Sequence, residues 1–255
     1  MALTCFTVAV LPSVAGAQAR GAAPAGQAAA GAPAAQSGRA AAPIDITGYW
    51  VALVTDDWRY RMQTPPKGNV DYLPVNAAAR KVADGWDPAR DESAGEQCRA
   101  YGAAGVMRMP GRLHISWENE NTLKIDTDAG TQTRRLLFGS APPAAGEPTW
   151  QGHSTARWAY LPGARGRGPV PTGQFVVTTT RMRPGYLRKN GVPYGANAVL
   201  TEYFIRLVDD SGQEYLALTQ MVDDLQYLAQ SYVKTYQFRK QRDASGWAPT
   251  PCSAR

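Results

Sequence analysis

A chain of 255 residues with 44% hydrophobic and 19% charged side chains is long enough to bury one sizeable core and too apolar to be disordered throughout. The formal charge of +6 falls to +4 from Ile44 onward, where 25 bases face 21 acids. Apart from "RMRPGYLRK" at Arg181 to Lys189 those bases are scattered, so no nucleic-acid partner is expected. No window approaches the roughly 20 apolar residues of a spanning helix, so no membrane insertion is expected either.

The first nineteen residues, "MALTCFTVAVLPSVAGAQA", are uncharged, carry a short apolar run and end in Ala17-Gln18-Ala19, the small-x-small pattern of a signal-peptidase site. Residues 1–19 are therefore expected to be a signal peptide cleaved after Ala19, which places the mature protein in the periplasm or outside the cell. Residues 20–43 are Ala, Gly, Pro, Gln and Ser with almost no large apolar side chain, and are expected to be a disordered linker. A single domain is expected over 44–255. Removal of Cys5 with the leader leaves Cys98 and Cys252, which an oxidising compartment would pair; the alternative is two separate buried thiols.

From Tyr49 the dominant period is two. "YWVALVTDD", "WRYRM", "RLHISWE", "TLKIDT", "TQTRRLLF", the segment around Trp150, "QFVVTTT", "AVLTEYFIRL", "YLALTQMV" and "YVKTYQF" read as strands, joined in several places by hairpin-like turns. One stretch reads helical, "NAAARKVADGW" near 76–86, with Asn76 as N-cap and Pro88 beyond its end. Eight to ten antiparallel strands with one short helix predict an all-β barrel.

The opening "DITGYW" places Gly48-x-Trp50 at the start of the first strand and resembles the G-x-W of lipocalin-type (calycin-type) barrels. That resemblance implies a Trp50 plug at one barrel end with Arg239 stacked on it. "DITGYW", "PTWQGHSTARW", "QFVVTTT", "RKNGVPY", "LTEYFIR", "MVDDLQYLAQSY" and the terminal "PTPC" together resemble a family of exported bacterial proteins of uncharacterised function. The likeness spans nearly all of Ile44 to Cys252. It implies kinship without implying a reaction, and Tyr194 stands where many members place a histidine.

Two histidines far apart and two cysteines expected to be oxidised argue against a metal site. No nucleophile elbow, P-loop or dinucleotide fingerprint is present, "GARGRG" at Gly163 to Gly168 reading as a flexible hairpin tip, and no cofactor is expected. His114 falls opposite the apolar face of Leu113, Ile115 and Trp117 and reads as a rim residue. What remains are polar side chains within aromatic strands. Trp58, Arg59, Arg61, Trp150, Tyr186, Arg188, Lys234 and Tyr236 are candidates to line an internal pocket for one small aromatic or anionic molecule. An alternative is a cofactor-free lyase, isomerase or hydratase with His153, Tyr194 and Glu202 as its acid-base set. Pairing of Glu202 with Lys234 or an arginine would instead make it purely structural. Strand alternation from Trp150 puts His153 on the face opposite Ser154 and Ala156 unless Gly152 resets the register.

Overall fold

The structure, a computed structural model, describes residues 36–139, 146–160 and 173–255. The expected leader, residues 20–35 of the linker and the Gly163–Gly168 tip lie outside the described residues.

Nine strands close a barrel: β1 (Gly48–Leu53), β2 (Arg112–Asn119), β3 (Thr122–Thr127), β4 (Gln132–Phe138), β5 (His153–Tyr160), β6 (Gly173–Thr180), β9 (Val199–Val208), β10 (Glu214–Asp223) and β11 (Tyr232–Gln241). Their order around the barrel is β1-β11-β10-β9-β6-β5-β4-β3-β2. Every neighbouring pair is antiparallel except β4 and β5, which run parallel from Leu136↔Ser154 to Phe138↔Ala156. The two strands absent from the barrel, β7 (Gly185–Arg188) and β8 (Val192–Tyr194), form a separate hairpin, turned at Asn190 and Gly191, whose φ of 82° suits a glycine.

Period two is what makes these strands pack. On β9 Leu200, Glu202 and Phe204 are buried, and on β10 Leu216, Leu218, Gln220 and Val222 are buried, while the residues between them are more exposed. The same alternation turns Ser154 and Ala156 of β5 inward and leaves His153 on the outer face with Thr155 and Arg157. His114 likewise faces out, its ring stacked on the cross-strand Tyr49 at 4.2 Å.

Trp50 is fully buried and its indole N–H donates to the Ile46 carbonyl at 2.9 Å. The cation over its ring is Lys240, at 4.5 Å, rather than the expected Arg239. Trp50 pairs with Lys240 across β1 and β11, and Phe238 is buried, so the intervening Arg239 must point outward.

The barrel ends differ. At the end where β1 begins, Trp117, Phe138, Trp158, Phe175 and Phe204 form a chain of ring contacts 4.9–5.7 Å apart. Residues 36–43, assigned to the linker on composition, pack there: the Trp158 indole donates to the Gly38 carbonyl at 2.7 Å, Tyr160 to the Ala41 carbonyl, and Gly38 N–H to Asn121 Oδ1. Backbone polar groups make this attachment, which an apolar-residue count does not register.

A helical cap covers the opposite end. The expected helix is α2 (Ala77–Asp84), with the Asn76 side chain accepting from the Ala79 N–H at 3.0 Å. Further short helices, α1 (Trp58–Met62), α3 (Pro88–Ser93) and α4 (Ala103–Val106), join it. In α1 the expected strand "WRYRM" is corrected: five alternating residues fit a helical turn equally well, and the buried Arg61 guanidinium, donating to the Leu53 and Arg108 carbonyls, decides between them. Cys98 and Cys252 form a disulfide that ties the C-terminal segment to this cap.

Candidate functional site

Four basic residues from four parts of the chain meet at the capped end around two acids. Asp56 and Asp57 follow β1, Arg61 lies on α1, Arg108 follows α4, Arg188 ends β7, and Lys234 is on β11. The three arginines are 6%, 4% and 2% exposed. Asp57 Oδ2 accepts from Arg108 Nη2 at 2.7 Å and lies 3.7 Å from Arg188 Nη2, while Asp56 pairs with Lys234 and lies 3.6 Å from Arg61 Nη1. Four cations therefore share two carboxylates. Burial pushes the Arg61 and Arg188 pKa values down, and in each case the neighbouring Arg108 adds to the effect. Arg61 Nη2 and Arg188 Nε are buried without a hydrogen-bond partner.

Tyrosines surround the cluster. Tyr236 is 2% exposed and the Arg61 guanidinium lies 5.3 Å from its ring. Burial first, then Tyr232, holds the Tyr236 hydroxyl pKa well above its usual value. Asp57 and Tyr72 occupy left-handed backbone, at φ 48° and 62°, conformations that cost a non-glycine residue free energy and tend to gather at binding sites. Tyr72 is 92% exposed despite its size.

Two clefts open near this cluster. One, of about 320 Å³, is lined by Asp57, Tyr72, Arg188, Tyr232, Val233 and Lys234. The other, of about 410 Å³, includes Tyr60, Arg61, Tyr101, Arg108, Lys189 and Arg255 in its lining. Below the cap the barrel itself is filled. Arg134 and Glu202, both fully buried, form a two-pronged ion pair at 2.8 and 2.5 Å. Gln220 donates to Glu202 at 2.9 Å, and Thr179 links Arg134 to Ser154. Beyond this polar layer come Leu136, Val177, Leu218, Phe175 and Phe204, so the open space lies at the ends of the barrel and not along its axis.

Of the candidate ligand-lining residues, Arg61, Arg188, Lys234 and Tyr236 converge on this cluster. Trp58 and Arg59 lie nearby on α1 but project outward, Trp58 65% exposed. Tyr186 belongs to a separate network: its hydroxyl donates to Asp91 Oδ2 at 2.9 Å and accepts from Arg99, and burial with that bond pushes its pKa up to about 12. Trp150 is half-buried under the Arg183 guanidinium, 4.1 Å from its ring.

The acid-base candidates occupy three different settings. His153 lies on the outer face of β5 with Nε2 buried and unpartnered. Glu202 is inside the barrel, consumed by Arg134 and Gln220. Tyr194 is fully buried in the cap, its hydroxyl unpartnered and its pKa raised by burial. A Cβ on Gly102 or Gly185 would collide with that hydroxyl, so two glycines hold the slot open. Among the described residues no three His, Cys, Asp or Glu side chains gather in a way that could hold a metal ion.

Sequence reasoning missed Arg108, Tyr72, Tyr232 and Lys189. Lys189 closes the basic run "RMRPGYLRK", which was a signal; Arg108 in "VMRMPGR" carried none.

No family model and no curated protein matches the chain, so the family resemblance rests on its motifs alone. A solved structure, the X-ray structure of biotin binding protein from chicken, is similar at 15% identity and a TM-score of 0.25, over 52% of this chain and 89% of that one. At that score the likeness carries no argument about a ligand. The barrel stands on its own strand pairing.

Proposed function

We propose that the protein is an exported β-barrel that binds a small aromatic anion at its capped end, in the cleft walled by Tyr72, Tyr232, Arg188 and Lys234. The observation that carries this is Arg188. Its guanidinium is 2% exposed, shares Asp57 with Arg108 at the longer distance, and keeps a buried nitrogen without a partner in a cleft that Lys234 also lines. A ligand carboxylate would take the free Arg188 Nε and join Asp56 on Lys234, while the two Arg188 Nη groups stay with Asn69 Oδ1 and the Asp71 carbonyl. Asp56 thereby keeps its place 3.6 Å from the buried Arg61. The tyrosines supply flat faces for a ring. Export is supported by the leader pattern and by the disulfide. The acid-base alternative lacks comparable support, because the Glu202 carboxylate is already engaged and His153 faces away from the barrel interior.

Isothermal titration of the mature protein with benzoate, 4-hydroxybenzoate and cinnamate tests the proposal. Saturable binding is expected, weakened about tenfold or more by Arg188→Gln or Lys234→Met, since a hydrogen bond to a charged group contributes about 1.5–3 kcal/mol. Absence of binding by every aromatic acid, or affinity untouched by both substitutions, would overturn it. N-terminal sequencing of the protein recovered from the cell envelope tests export, with Arg20 expected as the first residue.

A further inference from the structure

We propose that the cleft lined by Arg61 and Lys189 is a second and chemically distinct site, one that takes a compact phosphate-type dianion, the head of a phosphate monoester. It goes beyond the aromatic-anion site and does not depend on it.

The argument begins with charge. Arg61, Arg108, Lys189 and Arg255 all line this cleft, and no Asp or Glu is in its lining. The acids that approach these cations do so from elsewhere and incompletely. Arg108 is held by Asp57; Arg255 lies 3.5 Å from Glu92; Arg61 has only Asp56, at 3.6 Å. Lys189 has no Asp or Glu partner among the described residues; it donates to a main-chain oxygen of Arg255, the last residue of the chain, and lies 5.8 Å from the Tyr101 ring. Burial lowers its pKa.

The second observation is Arg61. Its Nε and Nη1 are spent on the Arg108 and Leu53 carbonyls, which fix the plane of the guanidinium, while Nη2 remains buried and unpartnered. An arginine held by its own backbone bonds, with a donor to spare beside a lysine, can meet an oxyanion with little reorganisation. The cleft's about 410 Å³ accommodates a phosphate group with a short substituent, and Met62, Met109 and Pro110 offer an apolar wall for that substituent. A phosphate monoester above its second pKa of about 6 presents a doubly charged set of oxygens to the four cations that line the cleft.

The adjacent residues Arg188 and Lys189 line different clefts, which makes the two sites separable by mutation. Methyl phosphate has no ring for the Tyr72 cleft, and benzoate has one charge. The full mature chain would be titrated calorimetrically with methyl phosphate at pH 7.5 in phosphate-free buffer, with ionic strength held by chloride. Saturable one-to-one binding is expected, weakened at least tenfold by Lys189→Ala and unchanged within twofold by Arg59→Ala, at an exposed residue of α1 that lines neither cleft. Arg255→Ala, at an exposed residue whose loss should leave the fold intact, is expected to weaken binding about threefold and serves if Lys189→Ala melts early. Absence of saturable binding, or a loss from Arg59→Ala equal to that from Lys189→Ala, would overturn the proposal. Benzoate binding that survives while methyl phosphate binding is absent removes this site alone; the reverse removes only the aromatic-anion site.

Discussion

The two ends of the barrel are closed by different kinds of interaction. At the end where β1 begins, closure is aromatic and local: five rings in contact, Trp50 beneath them, and residues 36–43 laid across by backbone hydrogen bonds. At the other end closure is mixed and non-local. An apolar cluster that includes Val70, Leu187, Leu200 and Leu228 packs there, a buried Arg134–Glu202 pair forms the floor, four cations and two acids lie above it, and the chain's C-terminal segment is fastened by a disulfide. An aromatic plug gains by excluding water. A buried charge cluster is costly to assemble, and at the cap Arg61 and Arg188 each keep a spare donor. Clefts open at both ends, one of about 290 Å³ beside Trp117 and Trp158 and two of about 410 and 320 Å³ at the cap, and the spare arginine donors belong to the cap.

Five experiments break or sharpen that contrast. The largest effect should come from untying the capped end. Replacing Cys98 and Cys252 by serine together releases a loop of 154 residues, and chain entropy sets the expected loss at about 5 kcal/mol, read by urea denaturation. Next comes the ionic floor. Glu202→Leu should cost about 3–5 kcal/mol by leaving Arg134 charged and alone, whereas Arg134→Met with Glu202→Leu should recover most of that loss. If the single and the double variant are equally unstable, packing and not charge is what that layer supplies. Phe175→Ala at the aromatic end should cost a similar about 3–5 kcal/mol, with no partner substitution able to restore it.

A smaller contrast appears with pH. Tyr186, Tyr194 and Tyr236 belong to the capped end or to the barrel face beneath it, and burial raises the pKa of each; for Tyr186 it reaches about 12. A pKa raised in the folded state means the folded protein holds the proton longer. The stabilisation is therefore complete below about pH 10 and is lost as pH rises from 10 towards 12. Thermal melts across pH 9 to 12 should show this decline, and Tyr186→Phe should flatten part of it. The smallest effect belongs to the other end: Trp158→Phe removes the bond to the Gly38 carbonyl and should cost about 1 kcal/mol, with faster amide exchange confined to the segment around residues 37–43.

Much of the barrel was legible in the chain because alternation is a local property. Leu113, Ile115 and Trp117 declare one face of β2 within five residues, and the register at Trp50 follows from the same rule. The rule even corrects the lipocalin likeness: once Phe238 is inward, Lys240 must be the cation over Trp50 and Arg239 cannot be. Short segments were less legible. "WRYRM" is too brief for its period to distinguish a strand from a helical turn, and α3 and α4 are a turn or two each. The attachment of residues 36–43 left little mark in composition because its contacts are made by main-chain groups and by the polar side chains of Ser37 and Arg39 on Glu120.

The candidate site shows the same division. The sequence by itself determined that the chain would build a barrel from strands of period two, where α2 would start and that Cys98 and Cys252 could pair, and it named Arg61, Arg188, Lys234 and Tyr236 as candidates. Only the tertiary structure decided that those four meet, that Arg108 joins them, that one β4–β5 pair runs parallel, that Arg188 and Lys189 line different clefts, and that Glu202 is consumed by Arg134, 68 residues away. The physical reason is range. Hydrogen-bonded strands write their requirements into neighbouring residues, whereas a charge cluster is assembled across the whole chain by burial, which no short stretch encodes.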